Sequence, residues 1–149
     1  MKEHFEQLVR YEKWANKIIL DALKELPVPD EKCVDIMAHL LLAEKVWYSR
    51  MAYQNPPPVW DKKTLNECYQ LYEENNKTLD AFVSRLAEID FFRVVEYKNS
   101  KGIRFENTIK DILTHTFNHS TYHRGQIAER LKGKLPKMPV TDFIAFLRE

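Results

Sequence analysis

The string THTFNHSTYHRGQ, residues 114–126, places His115, His119 and His123 four residues apart. Neutral imidazoles at positions i and i+4 of a helix can both reach one cation, the spacing used in helical zinc sites. On a wheel of about 100° per residue with Ile109 at zero, the apolar residues of this segment fall between about −60° and +40°. His123 then lies near about −40°, His119 near about −80° and His115 near about −120°. The His119/His123 pair faces the core, and His115 leans out as a boundary residue. There is no Glu between the two inward histidines, so the H-E-x-x-H arrangement of metalloproteases does not apply.

A third ligand has to come from a facing helix. His39 is the histidine of the second helical segment and lies on the edge of its apolar stripe; His4 is the other choice, in a charged, fraying end. Three imidazoles with an open position form a catalytic-type metal site, in which the metal polarises water or a bound group. A single histidine beside an apolar stripe is ordinarily a hydrogen-bonded core residue. The pair combined with an inward partner brings the ligand reading level with that one. Imidazole ligands suit zinc, nickel, iron and copper alike, so the ligand type does not identify the metal; zinc or nickel is expected first, with iron or manganese as alternatives.

Around these histidines the sequence offers supporting residues. Gln126 could hydrogen-bond a ligand imidazole. Arg124 reads as an inter-helix ion-pairing residue. Asp35, one turn before His39, could orient that ring or simply favour the first turn of its helix. Glu44 reads as the partner of a cation or of a tryptophan N–H. Trp47, Tyr48 and Trp60 could line a pocket mouth with NPPPVW as its rim, although aromatics at helical spacing are more often core. Asn76 interrupts an apolar stripe and needs a partner. Gly125 would allow a close helix approach. Cys33 and Cys68, far apart and outside any C-x-x-C, read as reduced structural thiols.

Four long segments must position these groups. Residues 2–25 carry Phe5, Leu8, Ala15, Ile19 and Leu23 at helical spacing, and PVPD ends them. Residues 31–53 follow, with Asp30 as the cap, and NPPPVWD breaks the helix. Thr64 and Glu67 resemble a capping box for a third helix reaching to about Ile89. FFRVVEYKNSKGIRFEN is β-branched and aromatic around NSKG, which predicts a β-hairpin. Residues 107–131 form the fourth helix, with Gly133 as its stop. VTDFIAFLRE closes as a short helix capped by Thr141 or Asp142. The expectation is one all-α domain over 1–149: a four-helix bundle with a short β-hairpin before the fourth long helix and a short C-terminal helix.

The formal charge of +1 leaves no basic footprint for nucleic acid and no polybasic membrane signal. No apolar run approaches the roughly 20 residues of a membrane span, and the charged N-terminus lacks an export signal, so a cytoplasmic location is expected.

From NHSTYHRGQI the chain resembles the DinB/YfiT-like family of metal-dependent proteins. DIMAHLLLAEKVWYSRM is similar to the family's second helix, with His39, Glu44 and Trp47 in its pattern, and LPKMPVTDFIAFLRE is similar to its C-terminal segment. The resemblance implies a four-helix bundle with metal held by His39, His119 and His123. It implies a metal-dependent enzyme, first a thiol-dependent S-transferase acting on small electrophiles in stress response or detoxification, with a low-molecular-weight thiol as co-substrate. The alternatives are a hydrolase using metal-activated water and a non-enzymatic metal-binding, stress-associated protein; a homodimer is plausible in either case. The resemblance does not imply DNA binding.

Overall fold

A computed structural model describes all residues, 1–149. It comprises α1 (Lys2–Glu25), α2 (Glu31–Met51), α3 (Leu65–Arg85), a 3-10 turn (Glu88–Phe92), β1 (Val94–Lys98), β2 (Arg104–Thr108), α4 (Ile109–Leu131) and α5 (Phe143–Phe146). Helices α1 and α2 each pack against both α3 and α4, while α1 and α2 touch one another only slightly, so these two stand diagonally in the bundle. That arrangement sets the centre of α2 directly against α4.

The helix limits follow from local chemistry. The Asp30 carboxylate accepts the Cys33 N–H at 3.0 Å and starts α2. Thr64 and Glu67 form a reciprocal capping box, with Thr64 Oγ1 accepting from Glu67 N–H and Glu67 Oε2 accepting from Thr64 N–H. Thr108 caps α4 through the Asp111 N–H. Gly133, just past the α4 terminus, takes φ 74°, a left-handed conformation that glycine adopts without strain.

Helix α3 ends at Arg85, earlier than the expected 89. Leu86 and Ala87 turn extended, and the Asp90 carboxylate accepts the Ala87 N–H at 2.7 Å to cap the 3-10 turn. The break swings Phe91 into the core, fully buried and stacked on Phe5 at 5.2 Å between ring centroids. Burial of a large aromatic outweighs one further helical turn.

The hairpin is antiparallel, with Tyr97 opposite Phe105 and Val95 opposite Asn107. It lies against α2 and α4 and buries Val95 completely. The C-terminal segment folds back on α1: Tyr11 donates to the Thr141 carbonyl at 2.7 Å, and Trp14 Nε1 donates to Glu149 at 2.6 Å.

The core is divided. One apolar cluster gathers Ile19, Leu20, Met37, Leu40 and Ile127; a second gathers Phe5, Val83, Phe91, Ile109 and Leu113 near the other end. Between them lie the buried polar residues Glu12, Asn16, Glu44, Asn75, Ser120 and Arg124.

Candidate metal centre

His39 rises from the middle of α2, and His119 and His123 from successive turns of α4. Their ligand-type nitrogens all lie within 4.8 Å of one another, and His119 Nε2 and His123 Nε2 are 3.1 Å apart. Zinc–nitrogen bonds of about 2.0–2.1 Å at tetrahedral angles place ligand nitrogens about 3.3 Å apart, so the α4 pair already has the required spacing. The group consists of three residues, all imidazoles, and could hold a divalent ion with a position left open. His115 is exposed and sits edge-on to Trp47 at 4.9 Å, outside the group; His4 is exposed on α1, against the C-terminal segment.

Hydrogen bonds set which nitrogen of two rings faces the common point. His39 Nδ1 lies 3.0 Å from the Val59 carbonyl, and His123 Nδ1 lies 2.8 Å from Gln126 Oε1. Both partners are acceptors, so each Nδ1 carries the proton and each Nε2 keeps its lone pair for a metal. Gln126 therefore has the supporting role expected of it. Asp35 does not: the backbone of the proline-rich loop holds His39, while Asp35 lines a groove with Lys62 and Lys63 on the bundle surface.

The rim expected from NPPPVW is present in part. Trp60 lies flat on His39, with centroids 3.7 Å apart and planes 10° from parallel. Trp47 stands between His115 and Tyr97. Tyr48 turns away and packs edge-on against Phe82 of α3.

Burial pushes the His39 pKa down, opposed by the Val59 carbonyl. His119 is pushed from 6.5 down to about 4, by burial first and then by charge on the neighbouring histidines. Both rings are neutral near pH 7, as ligands must be.

Beneath the histidines, Arg124 is 1 % exposed and donates to Glu12 Oε1 at 2.7 Å, Asn16 Oδ1 at 2.8 Å and Thr121 Oγ1 at 2.9 Å. This is the inter-helix ion pair expected of it. Glu44 differs from expectation. Neither a cation nor a tryptophan is its partner: Asn16 and Asn75 donate to its two carboxylate oxygens at 2.9 and 2.8 Å, and Ser120 Oγ lies 3.5 Å away. Burial, then repulsion from Glu12, holds the Glu44 carboxyl well above the usual range. The polar residue that matters in α3 is Asn75, which also donates to the Leu41 carbonyl; Asn76, one position on, is only half-buried and its amide nitrogen lacks a partner. One step in sequence is about 100° on a helix, enough to exchange a core-facing position for a boundary one. The α3 stripe at Cys68, Tyr72 and Leu79 includes position 75 at helical spacing, the signal that could have found it.

The DinB family model matches residues 1–146. Protein DinB of Bacillus subtilis (strain 168) is similar at 27% identity over a 174-residue alignment, which takes in 99% of this chain and 95% of that protein. With the match running the length of the bundle and its three-histidine group, the chain belongs to the DinB family.

Proposed function

We propose that His39, His119 and His123 bind a divalent metal, zinc or nickel first, and that the protein is a metal-dependent enzyme transferring a low-molecular-weight thiol to a small electrophile. The observation that carries the metal assignment is the convergence of three imidazoles, two of which, His39 and His123, turn Nε2 to the common point through hydrogen bonds at Nδ1. The thiol chemistry follows from the family resemblance and fits a centre with an open position. A metal held there would lower the pKa of a bound thiol and keep it nucleophilic at neutral pH. The chain's own residues do the rest. Val59 and Gln126 orient the rings, Trp60 shields one face of His39 from water, and the Arg124 layer fixes the height of α4 against α1. Neither cysteine competes as nucleophile: both are buried, and burial raises Cys33 and pushes Cys68 up to about 12.

Elemental analysis of the purified protein, followed by turnover of a reactive electrophile with and without added thiol, tests this reading. The expected result is one equivalent of metal, lost in His123→Ala, and thiol-dependent turnover lost with it. Failure of added zinc and nickel to bind would overturn the metal assignment. Metal-dependent turnover without thiol would replace the transferase with a hydrolase, and bound metal with no turnover would leave a non-enzymatic metal-binding protein.

A further inference from the structure

Beside the histidine centre, the last turn of α2 holds a guanidinium in an unusual setting. The Arg50 Cζ lies 4.3 Å from the Trp47 ring centroid and 4.7 Å from that of Tyr97, so two aromatic faces hold it. Its Nη2 donates to the Lys98 carbonyl at 3.3 Å, while its Nε is buried without an acceptor. Burial lowers its pKa, opposed only by Tyr97, and no carboxylate contributes. The other arginine enclosed in this bundle, Arg124, has its carboxylate in Glu12. A partly desolvated cation without a counter-ion is costly unless something supplies one.

Its position says what that would be. Trp47, the ring under Arg50, contacts His115 edge-on at 4.9 Å, and His115 lies 5.8 Å from His119 between ring centroids. The contacts run in order from Arg50 through Trp47 and His115 to His119, so a molecule anchored at the three histidines would have to extend along α4 past His115 and Trp47 to approach this guanidinium. Aromatic contacts fix its direction in advance, and a guanidinium offers paired donors that match a carboxylate.

We propose that Arg50, held by Trp47 and Tyr97, is the recognition residue for a carboxylate on the molecule bound at the three-histidine centre, so that the substrate class is acidic. This rests on the trio being the metal anchor. It does not need the anchoring group to be a thiol.

The test uses zinc-loaded full-length protein and calorimetric binding of two matched probe pairs. Mercaptohexanoate and mercaptohexanamide share a thiol anchor; the monohydroxamate of suberic acid and octanohydroxamate share a hydroxamate anchor. Each acid is expected to bind about tenfold or more tighter than its neutral partner, the scale of one hydrogen-bonded charge pair. Arg50→Gln is expected to abolish that preference with zinc content unchanged, and Arg50→Lys to keep part of it. Equal affinity within both pairs for the wild-type protein overturns the proposal whatever the variants do, as does a preference that survives in Arg50→Gln. Preference among the hydroxamates with no thiol binding would keep Arg50 and remove the thiol reading. Zinc uptake with none of the four probes binding would overturn the carboxylate site and leave the metal assignment standing.

Discussion

His39 and His123 each use one ring nitrogen on a neighbour, and this decides how they present the other. An acceptor at Nδ1 fixes the tautomer and the ring plane together, so the Nε2 lone pair is aimed before any ion arrives. Gln126→Ala is expected to weaken zinc binding about 10- to 100-fold, with unfolding little changed, as competition against a chromophoric chelator would measure. The low pKa of His119 has a sign that can be worked out. Between 6.5 and about 4 its folded form is neutral while the unfolded form takes up a proton. The metal-free protein therefore loses stability as pH falls through that window. Urea unfolding of the metal-free protein between about pH 4 and 6.5 checks this, and a stability that stays level across that window would contradict it.

The elements contribute unequal precision. Helices α2 and α4 bring their histidines into register because their stripes pack together, but the third constraint comes from a loop. Pro56, Pro57 and Pro58 stiffen the approach to Val59 and Trp60, which grip His39 from its Nδ1 side and its face. Replacing the three prolines by glycine is expected to loosen that grip and reduce zinc affinity roughly tenfold, and to lower the melting temperature by a few degrees through the added entropy of the unfolded chain. Gly125 presents the opposite case. A Cβ built there meets nothing within 4 Å, so the close helix approach expected of it does not occur. Gly125→Ala should stabilise the protein by about 0.5–1 kcal/mol through helix propensity and unfolded-chain entropy, measurable by chemical denaturation.

At the scale of the whole molecule, the polar layer between the two apolar clusters fixes how four helices meet. Arg124 of α4, Glu12 and Asn16 of α1, Glu44 of α2 and Asn75 of α3 hydrogen-bond one another in the interior, leaving Glu12 Oε2 and Arg124 Nε without a partner. Removing one partner strands the other: Arg124→Leu is expected to cost about 3–5 kcal/mol in urea unfolding. Glu44 contributes a pH dependence opposite to that of His119. Its folded pKa is raised well above 4.5, so above 4.5 the folded form holds a proton that the unfolded form has released. Stability therefore falls as pH rises from 4.5 toward the raised value. Glu44→Gln, which keeps the shape of the protonated carboxyl, should flatten that decline in thermal melts across the range.

The sequence by itself determined the helices, their caps, the hairpin and the inward pair on α4. These depend on spacing within one element, and periodicity reports such spacing directly. It also determined that His39 was the histidine best placed on a facing helix, and that Gln126 could serve His123 from the next turn. Only the tertiary structure decided what lay across elements. The Val59 carbonyl displaced Asp35 as the partner of His39, because a backbone acceptor carries no side-chain signature. Asn75 rather than Asn76 faced the core, because the orientation of α3 depends on which neighbours it packs against. Glu44 belonged to a buried amide network, and Arg50 lay between two rings of which one comes from a hairpin roughly 47 residues further along. Such contacts join residues distant in the chain, and their geometry comes into being only when the bundle closes.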